Sequence, residues 1–252
     1  SVGWLLDHGA KVNVPAHLGQ TALHIAADQN YRVTLSLLLA AEANPNAKDI
    51  NGQTPVHFAA LDGYTVAVTQ LLDNGGDIEA KTSWGATPLS AAAARGRTST
   101  VAALLLRKAE VDPKTDAGWT PLFAAVVGKY KGPAQFLRNS GADLHIVTGA
   151  GNTLLHAAAS SGMDEWIVEL LDAHRTGAGT IDEDSLYRAV GLIDMAADQL
   201  GADRDVARLA FKDDGAMGMI CAWIETIDRQ MTLDLPPETL AAMKIRERIR
   251  SL

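Results

Sequence analysis

Short apolar blocks of two kinds alternate along the first two thirds of the chain. One kind is rich in alanine, as at Ile25–Ala27, and the other carries a Leu-Leu pair, as at Leu38–Leu39 and Leu71–Leu72. Segments that contain glycine, such as Asn74–Gly76, separate the blocks and are typical of turns. Aromatic residues make up only 5% of the chain, which disfavours strands. The pattern therefore predicts short helices that pack closely through small side chains.

The blocks repeat with a period of 33 residues. Five segments of the form G-x-T-x-x-x align without gaps, and they begin at Gly19, Gly52, Gly85, Gly118 and Gly151. Leu5–Leu6 and Gly9–Ala10 match the end of such a unit, so we expect the chain to start inside an incomplete repeat of a longer protein. One unit cannot bury its apolar face alone, but a stack of units can.

The local chemistry of one unit predicts where its helices begin and end. We expect Thr54 to cap the first helix and Pro55 to occupy its first position, where a missing N–H costs nothing. Ala59 and Ala60 leave room for a neighbouring helix to approach. Asn74–Gly76 is expected to end the second helix by turn chemistry.

Two motifs recur at this period, G-x-T-P-L-H and L-L-x-x-G-A, and they are similar to the motifs of the ankyrin repeat family. The resemblance covers residues 1–174. It implies an all-α ankyrin-repeat solenoid of helix–turn–helix units joined by hairpin fingers. It also divides the chain into the end of an incomplete repeat (1–15), five repeats (16–174) and a helical C-terminal section (175–252).

The fourth repeat departs from the motif. Gly128 falls one position early, and Gly132 and Pro133 stand where the second helix should begin. Arg138 takes the place of the second leucine. We therefore expect a reshaped turn and a shorter second helix in this repeat. In the fifth repeat, His174 stands where glycine normally ends the unit.

The motif fades beyond residue 174. Residues 185–190 and 218–223 resemble degenerate versions of it. Two interpretations are therefore open, namely two degenerate repeats or a separate helical cap. The predicted helices in this section cover residues 183–200, 204–212, 216–231 and 237–251. The last of them carries four basic residues, and we interpret it as a solvated helix that closes the stack, the alternative being a helix that docks a partner.

Composition narrows the class of protein. The 252 residues carry 22 basic and 30 acidic side chains, a net charge of −8, which argues against nucleic-acid binding because that needs clustered Lys and Arg. An apolar content of 47% excludes a disordered chain. No run of about 18 uncharged apolar residues is present to span a membrane. The single cysteine, Cys221, cannot build a disulfide framework, so we expect an intracellular, cytoplasmic protein.

The sequence carries no pattern of catalytic or metal-binding side chains. His24, His57 and His156 occupy the motif position, so the resemblance implies that they make structural hydrogen bonds. No cysteine pair and no H-x-x-x-H spacing suggests zinc, and no glycine-rich segment follows an apolar strand. We expect a monomer with no metal, no cofactor and no enzymatic activity.

The resemblance implies that partners meet the finger tips and the exposed side of each first helix. Trp84 and Trp119 lie in the fingers of adjacent repeats, and exposed tryptophan is enriched in binding hot spots. The alternative is that each indole packs along its own hairpin. The predicted partner-binding residues are Trp84, Trp119, Arg95, Asp62, Leu61, Asn51, Gln53 and Asp116.

These observations predict a non-catalytic module that binds a protein or peptide partner on its concave surface. A spacer in a longer solenoid, and the substrate-recognition part of a larger multidomain enzyme or effector, are the alternatives. Lys48, Lys81 and Lys114 recur at one phase of the repeat. With Arg95 they form either a basic stripe for an acidic peptide or a row of solvated side chains.

Overall fold

A computed structural model of the chain describes residues 2–163, Trp166 and Leu170. It divides the chain into two compact units, residues 1–152 and residues 153–252. The helices predicted beyond residue 174, the basic last helix and the expectation about His174 lie outside the described residues.

The described elements are helical. In the first unit they are α1 (Val2–Asp7), a 3₁₀ turn (His17–Gly19), α2 (Ala22–Asp28), α3 (Arg32–Ala40), α4 (Pro55–Asp62), α5 (Thr65–Asp73), α6 (Pro88–Ala94), α7 (Thr98–Leu106), α8 (Pro121–Val127) and α9 (Lys131–Asn139). In the second unit, α10 covers Leu154–Ser161.

The helices of the first unit stack in two rows. The first helices α2, α4, α6 and α8 pack one on the next, and the second helices α3, α5, α7 and α9 form a parallel row. Each first helix also packs against the second helix of its own repeat. This arrangement confirms the predicted all-α ankyrin-repeat architecture.

In repeats two to four, the first position of the Leu-Leu pair lies in the core. Leu71, Leu104 and Leu137 have no exposed surface, whereas Leu72 is half-buried. Burying one leucine side chain stabilises the fold by about 1.5–3 kcal/mol. Arg138 replaces the half-buried member of its pair, so the charge keeps access to water while Leu137 retains the core contact.

The first helices begin as the sequence predicts. Thr54 precedes α4, Pro55 is the first helical residue, and the Thr54 N–H donates to Nδ1 of His57 at 3.1 Å. Thr87 uses its hydroxyl instead, which accepts from the Ser90 N–H at 3.3 Å. These bonds satisfy donors that a helix start would otherwise leave unpaired.

The turn between the helices of the fourth repeat has the same backbone as its counterparts. Asn30, Gly63, Gly96 and Lys129, spaced 33 apart, all adopt positive φ, and the value for Lys129 is 61°. Gly128 is right-handed, with φ −75°. The expected reshaped turn is therefore wrong, because Lys129 accepts the left-handed conformation that glycine takes in other repeats.

The expected shortening of the second helix in the fourth repeat is also wrong. Helix α9 has nine residues, as α3, α5 and α7 do. Pro133 is the third residue of α9, within the first turn, where a missing N–H breaks no intrahelical bond. A Cβ at Gly132 would collide with the Thr98 hydroxyl, so glycine there permits close approach to α7.

Residues 2–152 contain five hairpin fingers. We number them by the backbone bond that closes each one, in which the first residue donates to the carbonyl of the last: finger 1 (16–20), finger 2 (49–53), finger 3 (82–86), finger 4 (115–119) and finger 5 (148–152). Neighbouring fingers are joined by further backbone bonds. Ser83 donates to the Asn51 carbonyl at 2.9 Å, and Asp116 donates to the Trp84 carbonyl at 3.1 Å. The fingers therefore form one hydrogen-bonded row.

Substitution of Gly52 by alanine is expected to lower the free energy of unfolding by about 2 kcal/mol more than the same change at Gly75. Both glycines have positive φ, so both variants carry the left-handed strain of an alanine. A Cβ at Gly52 would lie 2.9 Å from the Ser83 nitrogen, whereas nothing lies within 4 Å at Gly75. Urea unfolding of the two variants measures the difference, and equal losses would show that finger contact contributes nothing.

Candidate functional site

A groove of about 560 Å³ opens on the finger side of repeats two to four. Its floor is formed by the first helices α4, α6 and α8, and its wall by fingers 2, 3 and 4. The lining residues are Gln53, His57, Leu61, Thr82, Trp84, Ala86, Ser90, Ala91, Ala94, Thr115, Asp116, Ala117, Trp119, Thr120, Ala124, Val127 and Gly128.

Small residues on the first helices create the groove. The same helical position is occupied by Ile25 in α2 and Phe58 in α4, but by Ala91 in α6 and Ala124 in α8. The two alanines leave the floor without a large side chain. The hollow therefore follows from a change of residue size at one repeated position.

The two predicted tryptophans line this groove together. Trp84 belongs to finger 3 and is 46% exposed, and Trp119 ends finger 4 and is 39% exposed. The Trp119 ring meets the buried Phe123 ring edge-on, with centroids 5.0 Å apart. Phe123, which lies on α8, therefore holds Trp119 in place while leaving part of its indole open to the groove.

Asp116 contacts finger 3 at two adjacent residues, Trp84 and Gly85. Its N–H donates to the Trp84 carbonyl at 3.1 Å. Its carboxylate lies against Gly85, where Oδ1 would be 2.8 Å from a Cβ. The side chain is exposed, and the described residues include no ion-pair partner for it.

A family model described as ankyrin repeats (3 copies) matches residues 1–82 and 59–148. The two matches together cover more than half of the chain. The chain belongs to the ankyrin repeat family. Ankyrin repeats are in general modules for protein–protein interaction, and the family is typically non-catalytic.

Two motif histidines of this ankyrin stack, His24 and His57, tie the first helices α2 and α4 to the next finger. Nε2 of His24 lies 3.1 Å from the Gln53 carbonyl, and Nε2 of His57 lies 3.1 Å from the Ala86 carbonyl. Burial lowers the pKa of His24, and it lowers the pKa of His57 to about 4. Both rings are neutral at pH 7, and their structural role is confirmed.

The other predicted site residues of the ankyrin unit divide into two groups. Gln53 and Leu61 line the groove with Trp84, Trp119 and Asp116. Asn51, Asp62 and Arg95 are exposed but do not line it.

Each residue of the second group lies beside the groove rather than in it. Asn51 is in finger 2, where its carbonyl accepts from Ser83. Asp62 ends α4, and its Oδ1 lies 3.9 Å from Nη2 of Arg97. Arg95 follows the last residue of α6.

Sequence reasoning missed the alanines of the floor. Ala91, Ala94 and Ala124 shape the groove but carry no functional group. The signal of Ala91 and Ala124 is the loss of bulk relative to Ile25 and Phe58 at the aligned position, and that of Ala94 is the loss of bulk relative to Leu61. That signal is visible only when the repeats are aligned and the side-chain volumes at each aligned position are compared.

The recurrent lysines of the ankyrin repeats lie outside the groove. Lys48 Nζ donates to the Lys81 carbonyl at 3.1 Å, and Lys81 and Lys114 are exposed. None of the three lines the groove.

The described residues contain no group of three or more His, Cys, Asp or Glu placed to hold a metal ion. No described helix is long and apolar enough to cross a membrane.

Proposed function

We propose that the chain is a non-catalytic, monomeric module that binds a protein partner in the groove between fingers 2–4 and helices α4, α6 and α8. The observation that carries this proposal is the placement of Trp84 and Trp119 on one apolar groove. A single cysteine in 252 residues supports a reducing, intracellular setting.

An exposed apolar groove is a favourable place for a partner side chain. Burial of apolar surface stabilises a complex by about 25 cal/mol per Å² removed from water. Leu61 and Val127 add apolar surface to that of the two indoles and the alanine floor.

Rigidity strengthens the case. Finger 3 is bonded to fingers 2 and 4 through Ser83 and Asp116, and His57 holds it to α4. A surface whose backbone is already ordered loses little conformational entropy on binding. The groove therefore offers a preformed site for a partner.

Replacement of Trp84 and Trp119 by alanine is expected to weaken partner binding by at least about 30-fold. Truncation of a tryptophan hot spot costs about 2 kcal/mol or more, which corresponds to that factor. Partners are captured from lysate of the source cells with the wild-type chain, and the affinity of each is then measured for the variants.

Two further variants make the test specific to the groove. Ala91→Phe fills the floor with the residue that α4 already carries at the aligned position, so we expect it to fold and to lose the same partners. Leu106→Ala removes an apolar side chain that is 82% exposed at the end of α7, and it is expected to leave binding unchanged. Partners retained equally by all variants would place the site elsewhere, and the absence of any partner would favour a spacer.

A further inference from the structure

The charge that lines the groove is negative. Among the described residues that line it, Asp116 is the one with a formal charge at pH 7, because the buried His57 is neutral. The carboxylate is exposed beside Gly85, the residue that follows Trp84, and makes no ion pair with a described residue. A carboxylate without a cation is complementary to a basic side chain.

The two indoles add to this preference. The face of a tryptophan ring attracts an ammonium or guanidinium group, and Trp is the strongest aromatic partner for cations. Trp84 and Trp119 line the same groove as the Asp116 carboxylate. The long apolar stem of a lysine or arginine also suits the alanine floor.

The nearby basic residues do not line the groove. Arg95 follows α6, Arg97 lies 3.9 Å from Asp62, and Lys48 donates to a carbonyl. The basic stripe considered for an acidic peptide thus stands apart from the apolar floor. Charge and shape together favour a basic occupant.

We propose that the groove selects a basic peptide segment of the partner, with one lysine or arginine side chain held by Asp116, Trp84 and Trp119. This inference rests on the proposed function, since it names the chemistry of the segment that enters the same groove. Asp116 is the residue that determines specificity. The faces of the two indoles add to its preference for a cation, and the alanine floor supplies contact area without distinguishing one charge from another.

The test selects displayed random twelve-residue peptides on the full chain, once with wild type and once with Asp116→Asn. Wild-type selections are expected to be enriched in lysine and arginine relative to the input library, and the Asp116→Asn selections are expected to lose that enrichment. The best wild-type peptide is expected to bind Asp116→Asn about fivefold more weakly. Its Lys→Gln or Arg→Gln analogue is expected to bind wild type about tenfold more weakly.

Matched controls exclude an effect of net charge or folding. Asp73→Asn removes an exposed carboxylate on α5, outside the groove, and is expected to keep the enrichment and the affinity. Asp116→Asn retains the backbone bond to Trp84, so its urea unfolding curve should match wild type. A loss caused by Asp73→Asn as large as that caused by Asp116→Asn would overturn the assignment.

The outcomes separate this inference from the proposed function. Peptides without basic residues that still depend on Trp84 and Trp119 would overturn the basic preference and leave the groove as a binding site. Acidic peptides would overturn the basic preference in favour of the basic stripe of Lys48, Lys81, Lys114 and Arg95. Peptides that ignore both tryptophans, or a selection that yields none, would overturn both proposals.

Discussion

Replacement of His57 by alanine is expected to lower the free energy of unfolding by roughly 3 to 5 kcal/mol. The ring has no exposed surface, accepts from the Thr54 N–H, and lies 3.1 Å from the Ala86 carbonyl. Loss of the ring leaves both backbone groups without these partners, at about 1–3 kcal/mol for each buried group. The vacated volume adds a cavity term. The effect is large because one side chain joins two repeats.

The next repeat supplies a matched control for this change. Ser90 occupies the same position in α6, and its hydroxyl lies 3.2 Å from the Thr87 hydroxyl, with no bond to the following finger. Ser90→Ala is expected to cost less than about 1 kcal/mol. Urea unfolding followed by circular dichroism compares the two variants. Losses of equal size would refute the view that the histidine stabilises the stack by joining repeats.

Acidification from pH 7 to pH 4 is expected to destabilise the fold through the buried histidines. Burial lowers the pKa of His57 from 6.5 to about 4. Above pH 6.5 the ring is neutral in both the folded and unfolded states, so its contribution is complete. As the pH falls from 6.5 towards 4, His57 binds a proton in the unfolded chain but stays neutral in the folded chain, so the unfolded state is stabilised. The loss from His57 alone approaches about 3 kcal/mol.

Two other groups change this pH profile. The pKa of His24 is lowered by burial as well, so His24 adds to the loss of stability as the pH falls below 6.5. Burial raises the pKa of the Asp112 carboxyl, so its protonation stabilises the folded state on acidification and opposes the histidines. The net stability is still expected to fall as the pH falls, since two histidines act against one partly exposed carboxyl.

Urea unfolding at pH 7, 6, 5 and 4 isolates the part due to His57. The difference in unfolding free energy between wild type and His57→Ala is expected to shrink as the pH falls. Once the folded ring also binds a proton, below about pH 4, the shrinkage should stop. A difference that stays constant over the whole range would mean that His57 does not titrate as its burial predicts.

Local sequence predicted the helix starts and the end of the second helix well. Thr54, Pro55 and Asn74–Gly76 act within a few residues of themselves, so their effects are readable without a fold. The fourth repeat shows where that reasoning fails. Gly132 and Pro133 looked like helix breakers, but their place in the first turn of α9 and the nearby Thr98 make them compatible with a full helix.

The candidate site was only half predictable from sequence. Trp84 and Trp119 were predicted from their finger positions. Gln53, Leu61 and Asp116 were predicted because they occupy finger positions or the exposed side of a first helix. The groove itself depends on absent volume at Ala91 and Ala124, and an absence has no local signature. Arg95 and Asp62 share the exposed row but lie beside the groove, which the period alone cannot distinguish.

The sequence by itself determined the period, the helix pairs and their caps, because each follows from interactions within one repeat of 33 residues. Its recurrent motifs indicated the ankyrin architecture through their resemblance to that family. Only the tertiary structure decided which exposed residues share a surface. Stacking joins residues 32 apart through the backbone bonds between fingers, so side chains from three repeats meet in one groove. The size and charge of that groove are sums over neighbouring repeats, and no single repeat contains them.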